Sequence, residues 1–156
     1  MKPAVVTAVL AVMVGCSFSH GHANARTKTE RIVVERPTIV GFFPAVTESD
    51  VEADAGVNSA LEHWEWALEN AQRCFGPKGV HVQAVLADKV VIETDGQIVE
   101  AVPRLGATAD IGYYLLAPGR APELVMGPAP SSLLYFLPKA ASEYFAVPEC
   151  APEAMR

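Results

Sequence analysis

At 156 residues, the chain suits one domain built on one core. A formal net charge of −6, with acidic and basic residues interspersed, speaks against a nucleic-acid partner. So modest an excess serves solubility more than it implies a basic partner.

Met1 to Ala25 has the form of an export signal. Lys2 precedes an apolar run from Ala4 to Phe18, and Ala23-Asn24-Ala25 is the small-x-small pattern that a signal peptidase cuts. The mature protein is expected in the periplasm or secreted. Met13-Val14-Gly15-Cys16 is also similar to a bacterial lipobox, so the alternative is a protein anchored to the envelope membrane by a lipid on Cys16. The apolar run falls short of the ~20 residues that cross a bilayer, so any membrane attachment would be through that lipid. Cysteine arithmetic follows. Cys16 is removed or acylated, which leaves Cys74 and Cys150 in an oxidising compartment. They are expected to form a disulfide bond, worth roughly 4 kcal/mol in the chain-entropy account. The competing reading makes Cys74 a small buried residue on a helix.

Residues 26–37 are read as a flexible tether, residues 38–150 as a single domain and 151–156 as a tail. His20-Gly21-His22 lies upstream, but two ligands without a third are not a metal site, and cleavage after Ala25 would remove both. Thr38 to Phe43 is a nearly continuous apolar run stopped by Pro44, which predicts a strand buried on both faces. Thr47-Glu48-Ser49-Asp50 supplies capping residues for a long helix. Its apolar row is Val57, Leu61, Trp64, Leu68, Ala71 and Phe75, and Asn58, Glu62, Glu65, Glu69 and Gln72 form the other face. Gly76-Pro77 is expected to end it, with Gly76 in the left-handed position.

Val80 to Leu86 alternates as a second strand. Val90 to Thr94 and Gln97 to Val102 flank Asp95-Gly96, the dipeptide favoured where both central residues of a hairpin turn take positive φ. Pro103 to Gly106 breaks the pattern. Ile111 to Leu116 and Glu123 to Met126 form a further strand pair joined through Pro118 to Pro122. A last helix is expected over Ser131 to Phe145, kinked or divided at Pro138, with an irregular tail carrying Cys150. The sum is an α+β fold: a mixed sheet with a long helix and a C-terminal helix packed on it.

In that order of elements the chain resembles the thioredoxin-like family. Thr38 to Ala45 is similar to its first core strand and the helix through Trp64 to the helix that follows. Ile111 to Leu116, Glu123 to Gly127 and the last helix are similar to its closing hairpin and helix. The resemblance implies a thioredoxin-like arrangement, with the Asp95-Gly96 hairpin as an addition. It does not carry over the family's Cys-x-x-Cys, since Ala45-Val46-Thr47-Glu48-Ser49 holds no cysteine and Ala109-Asp110 stand where the family has a proline. A binding scaffold is what remains.

No residue set is assigned to catalysis, a metal or a cofactor. Glu62, His63 and Glu65 fit a solvated helix face, and Ser131-Ser132 fit a helix start rather than a nucleophile elbow. Trp66 lies off the apolar row, and the expectation is that a broad buried stripe covers it. The alternative places its indole at an interface, with whichever of Tyr113 and Tyr114 faces away from the core. Two functions stay open. One is an exported, non-catalytic binding or accessory protein of the bacterial cell envelope with an envelope protein as partner. The other is a thioredoxin-like redox protein using Cys74 and Cys150 as a distant pair.

Overall fold

The computed structural model describes residues 27–104, 111–125 and 133–150, with only the backbone of 133–135. Met1 to Ala25, Cys16, His20, His22, Ala109, Asp110, Ser131 and Ser132 lie outside them.

The strand β1 covers Thr29–Val33 and β2 covers Thr38–Phe43. Two helices follow, α1 over Glu48–Ala53 and α2 over Ala55–Phe75. Then come β3 (His81–Leu86), β4 (Lys89–Thr94), β5 (Gln97–Ala101), β6 (Gly112–Ala117), β7 (Arg120–Val125) and α3 (Leu133–Phe145). The class is α+β, as expected, but the strands divide between two sheets. One is four-stranded in the order β3-β2-β6-β7, and the other three-stranded in the order β1-β4-β5. In the first, β2 pairs parallel with β3 and antiparallel with β6, and β6 and β7 form a hairpin. In the second, β1 runs parallel to β4, whose hairpin partner is β5.

The segment read as a tether therefore contributes a strand. Within it Ile32 is buried opposite Ile92, and Lys28 is fastened to the β3–β4 connection. There its carbonyl accepts from the backbone N–H groups of Asp88 (2.8 Å) and Lys89 (3.1 Å). A strand edge that finds a partner satisfies a row of backbone groups at once, which polar composition alone does not reveal.

The period of two along β2 decides how the layers stack. Ile39 and Phe43 face the helices, in a core with Trp64, Leu68, Phe75, Leu137 and Tyr144. Val40 and Phe42 face the other way, in a second core with Ile32, Val90, Ile92, Tyr114 and Leu116. Helices, four-stranded sheet and three-stranded sheet thus form three layers with two cores, where one had been expected. Gly41 sits between Ile39 and Phe43 on the helix side. A Cβ there would lie 2.8 Å from Leu68 Cδ2, so the absence of a side chain lets α2 approach the sheet.

Asp54 divides the predicted long helix. Its carboxylate accepts from the N–H groups of Gly56 (2.7 Å) and Val57 (3.3 Å), capping α2 while its own N–H closes α1 on Asp50. Thr47 and Asp50 form a reciprocal capping box at the start of α1, and those hydrogen bonds hold the Asp50 carboxyl below its usual range. At the far end of α2 the left-handed residue is Gly79 at φ 84°, not Gly76, which starts a 3₁₀ turn over Gly76–Lys78. The Asp95-Gly96 turn has φ 46° and 76°, as its sequence requires. The predicted loop between β6 and β7 shrinks to Pro118-Gly119, with Pro122 inside the edge strand, where a missing N–H costs no ladder bond. Pro138 does not divide α3, because buried Leu137, Ala141 and Tyr144 seat the helix on its neighbours.

Candidate functional site

Two places in the fold concern the residues singled out from sequence: the outward face of α2 and the junction of α2 with the C-terminal tail.

On α2, residues three and four apart stack along one face, so Glu62, Glu65, Trp66 and Glu69 are neighbours. All four are exposed. Trp66 is 45% exposed, which corrects the expectation that a wide apolar stripe would bury it. The sheet and α3 cover only the row through Trp64, Leu68, Ala71 and Phe75. A hollow of about 230 Å³ lies against the indole between Glu62 and His63. His63 is turned toward its own helix, its Nδ1 2.6 Å from the Ser59 carbonyl, while Asn58 donates to Glu62 at 3.0 Å. These contacts leave the indole face open.

The charge along this stretch of sequence is one-signed. Glu48, Asp50, Glu52, Asp54, Glu62, Glu65 and Glu69 fall in α1, the cap and α2, with no lysine or arginine before Arg73. Those seven carboxylates exceed the whole chain's net charge of −6 by one, so the remainder of the protein is close to neutral. Within α2 the helical spacing brings Glu62, Glu65 and Glu69 beside Trp66 on one face. They do not hold a metal by their arrangement: among the described residues no group of three or more potential ligands comes together.

The alternative that left one of Tyr113 and Tyr114 free for an interface does not hold, because both are interior. Because sheets and helices cover β6 on both sides, Tyr113 points into the helix-side core and Tyr114 into the core between the sheets. Tyr113 is fully buried and its hydroxyl donates to the Trp64 carbonyl at 3.0 Å, tying β6 to α2. Burial raises the phenols of both tyrosines above the ordinary tyrosine range.

Cys74 and Cys150 stand at disulfide distance, 5.7 Å between Cα atoms and 76 residues apart in sequence. The last turn of α3 arranges this. Ala146, at φ 53°, turns the chain, the Val147 N–H donates to the Ser142 carbonyl at 3.1 Å, and Ser142 Oγ donates to the Val147 carbonyl at 2.6 Å. Lys78 completes the junction. Its Nζ donates to the Pro148 carbonyl at 2.6 Å, lies 5.0 Å from the centre of the Phe75 ring and is 3.5 Å from Cys74 Sγ. Cys74 is buried, and the pair lies at the C-terminal end of α2, ten residues beyond Trp64, on which Phe43 packs just before the Ala45 to Ser49 stretch.

Set against models of known families, curated proteins and solved structures, the chain matches none. No helix among the described residues is long and apolar enough to cross a membrane.

Proposed function

We propose that this is an exported, non-catalytic binding protein of the bacterial cell envelope that docks a protein partner on the outward face of α2. The exposed indole of Trp66, set in a one-signed acidic helix face, is the observation that carries this reading. Leaving about 100 Å² of indole in water forgoes roughly 2–3 kcal/mol of transfer free energy that a partner would recover. Tryptophan is among the residues most enriched at the energetic centres of interfaces. The surrounding carboxylates select a partner with a basic face, which would gain in association rate and specificity more than in affinity.

The order of the four-stranded sheet, with α2 between two parallel strands and a hairpin before α3, supports a thioredoxin-like scaffold. The cysteine pair fits a structural role within it. Lys78 favours the redox alternative, since an ammonium near a sulfur stabilises a thiolate. Two effects oppose it: the Cys74 sulfur is buried, and it sits at the negative end of a 21-residue helix. The opposing pair prevails, and the bond would close the tail onto α2 rather than turn over substrate.

Capture from envelope extract with the tagged mature protein tests the proposal. A retained protein with a basic surface, lost on Trp66→Ala, is the expected result. A protein that captures nothing and runs as a solitary monomer would refute it. Reduction of an added disulfide substrate that disappears in Cys74→Ser would instead establish the redox alternative.

A further inference from the structure

On the side of the four-stranded sheet away from the helices, the two sheets part where the chain leaves β5, and a cleft of about 280 Å³ opens there. It is near the lower limit of small-molecule sites, about 300–1,000 Å³. The ring pair of Phe42 and Tyr114, with centroids 5.5 Å apart, forms its buried floor. Val102 and Leu124, each 44% exposed, line it with apolar surface, and Glu100 and Arg104 stand at the rim.

Two polar groups in this cleft have no partner among the described residues. Arg104 has no hydrogen bond or ion pair among the described residues. Glu100 does not neutralise it, because its carboxylate is held by Lys89 at 2.8 Å. Tyr114 is only 7% exposed, yet its hydroxyl has no partner among the described residues and is not sealed from solvent. Its neighbour in sequence differs: Tyr113 is satisfied by the Trp64 carbonyl. Burial keeps the Tyr114 phenol protonated, so it is a standing donor. A nearly buried donor and a guanidinium without a partner among the described residues, beside an aromatic floor, form the pattern of an apolar pocket with a few orienting polar groups. The hollow between the two hairpin turns is lined by the Thr94 hydroxyl, unpartnered among the described residues, but offers no unengaged charge. There the Asp95 carboxylate already accepts from the Gly119 N–H, and Arg120 already donates to the Tyr144 carbonyl.

We propose that this cleft binds a small organic anion, with a flat apolar body on the Phe42 and Tyr114 rings and its carboxylate or phosphate held by Arg104 and the Tyr114 hydroxyl. Charge complementarity selects the anion, and the small volume limits the body to about one ring. The site lies across the sheet from Trp66, so the two surfaces can be occupied independently.

Titration of the isotope-labelled protein, with its cysteine pair intact, by benzoate, phenyl phosphate and neutral benzamide tests this by nuclear magnetic resonance. Saturable shifts centred on Val102, Arg104, Tyr114 and Leu124 are expected with at least one anion. Benzamide should bind roughly tenfold or more weakly, the worth of a charge-assisted hydrogen bond. The tighter of the two anions identifies the headgroup. Arg104→Gln, a change at an exposed residue, should bring the anion down to the benzamide level. Tyr114→Phe should weaken it several-fold while keeping the ring. No saturable shifts with either anion, equal binding of benzamide, or undiminished anion binding in Arg104→Gln would overturn the proposal.

Discussion

Reducing the Cys74–Cys150 link should lower stability without dismantling the native fold. The tail is also held by Lys78 on the Pro148 carbonyl and by Ser142 on Val147, so the folded geometry has supports that survive reduction. The loss then falls mainly on the unfolded chain, which is released from a closed loop. For a separation of 76 residues the loop-closure entropy corresponds to about 4.5 kcal/mol at 25 °C. That is a third or more of the roughly 5–15 kcal/mol by which a domain is stable. For a domain of this size each kcal/mol moves the melting temperature by roughly 3–5 °C, so a fall of about 13–22 °C is expected. The assay is thermal unfolding followed by circular dichroism, with and without a phosphine reductant and in Cys150→Ser. A thiol count on the denatured, unreduced mature protein runs beside it. Cys150 is the better position to replace, since Cys74 is buried and a serine there would add an unpartnered hydroxyl to the core. Two free thiols in the unreduced protein, or a melting temperature that moves by less than about 2 °C, would refute the reasoning.

Three further outcomes follow from the packing. Gly41→Ala should destabilise by about 1–3 kcal/mol in denaturant unfolding, because the new methyl would sit 2.8 Å from a Leu68 methyl inside a closed core, and an unchanged midpoint would contradict the close approach of α2. Thr94→Val should stabilise by about 1 kcal/mol, since the threonine is 3% exposed and its hydroxyl is buried without a partner among the described residues; a loss of stability would mean that the hydroxyl is satisfied. Alkaline pH should unfold the protein through its buried tyrosines. The Tyr113 phenol, ordinarily ionising near 10.0, is raised by burial in the folded state and returns to that value on unfolding. Its contribution is intact below pH 10 and declines above it by up to about 1.4 kcal/mol per pH unit. Tyr113→Phe should flatten that part of the pH profile, and a profile unchanged by the substitution would contradict the assignment.

Local chemistry was the legible part of this chain. Asp95-Gly96 announced its hairpin because few residues tolerate two positive φ angles in succession, and Trp64 to Phe75 announced the buried helix face through spacing alone. The nearly continuous apolar run through Ile39, Val40, Phe42 and Phe43 pointed to cover on both sides of β2, and all four are buried. What provides that cover was not legible. The second sheet depends on β1, a five-residue strand in a polar stretch whose pairing with β4 is a long-range event. Missing it left one layer too few, and with it the prospect that Tyr113 or Tyr114 would reach the surface. Trp66 was misplaced for a related reason: how broad a stripe a helix buries depends on what lies beside it, which periodicity does not contain. The acidic setting of Trp66 was legible, since no lysine or arginine stands between Arg36 and Arg73, but a balance judged over the whole chain hid it. The junction of Cys74 with Cys150 was reachable by counting, but its setting, with Lys78 and the turn at Ala146, was not.

The central claim is that the outward face of α2 is where a partner docks. Photo-crosslinking in intact cells tests it most directly, with a benzophenone side chain placed at Trp66, at Glu69, or at Ile98, which is 63% exposed on the three-stranded sheet. Adducts to one partner from positions 66 and 69, and none from position 98, are the predicted result. Equal adducts from all three positions, or none from α2, would contradict the account.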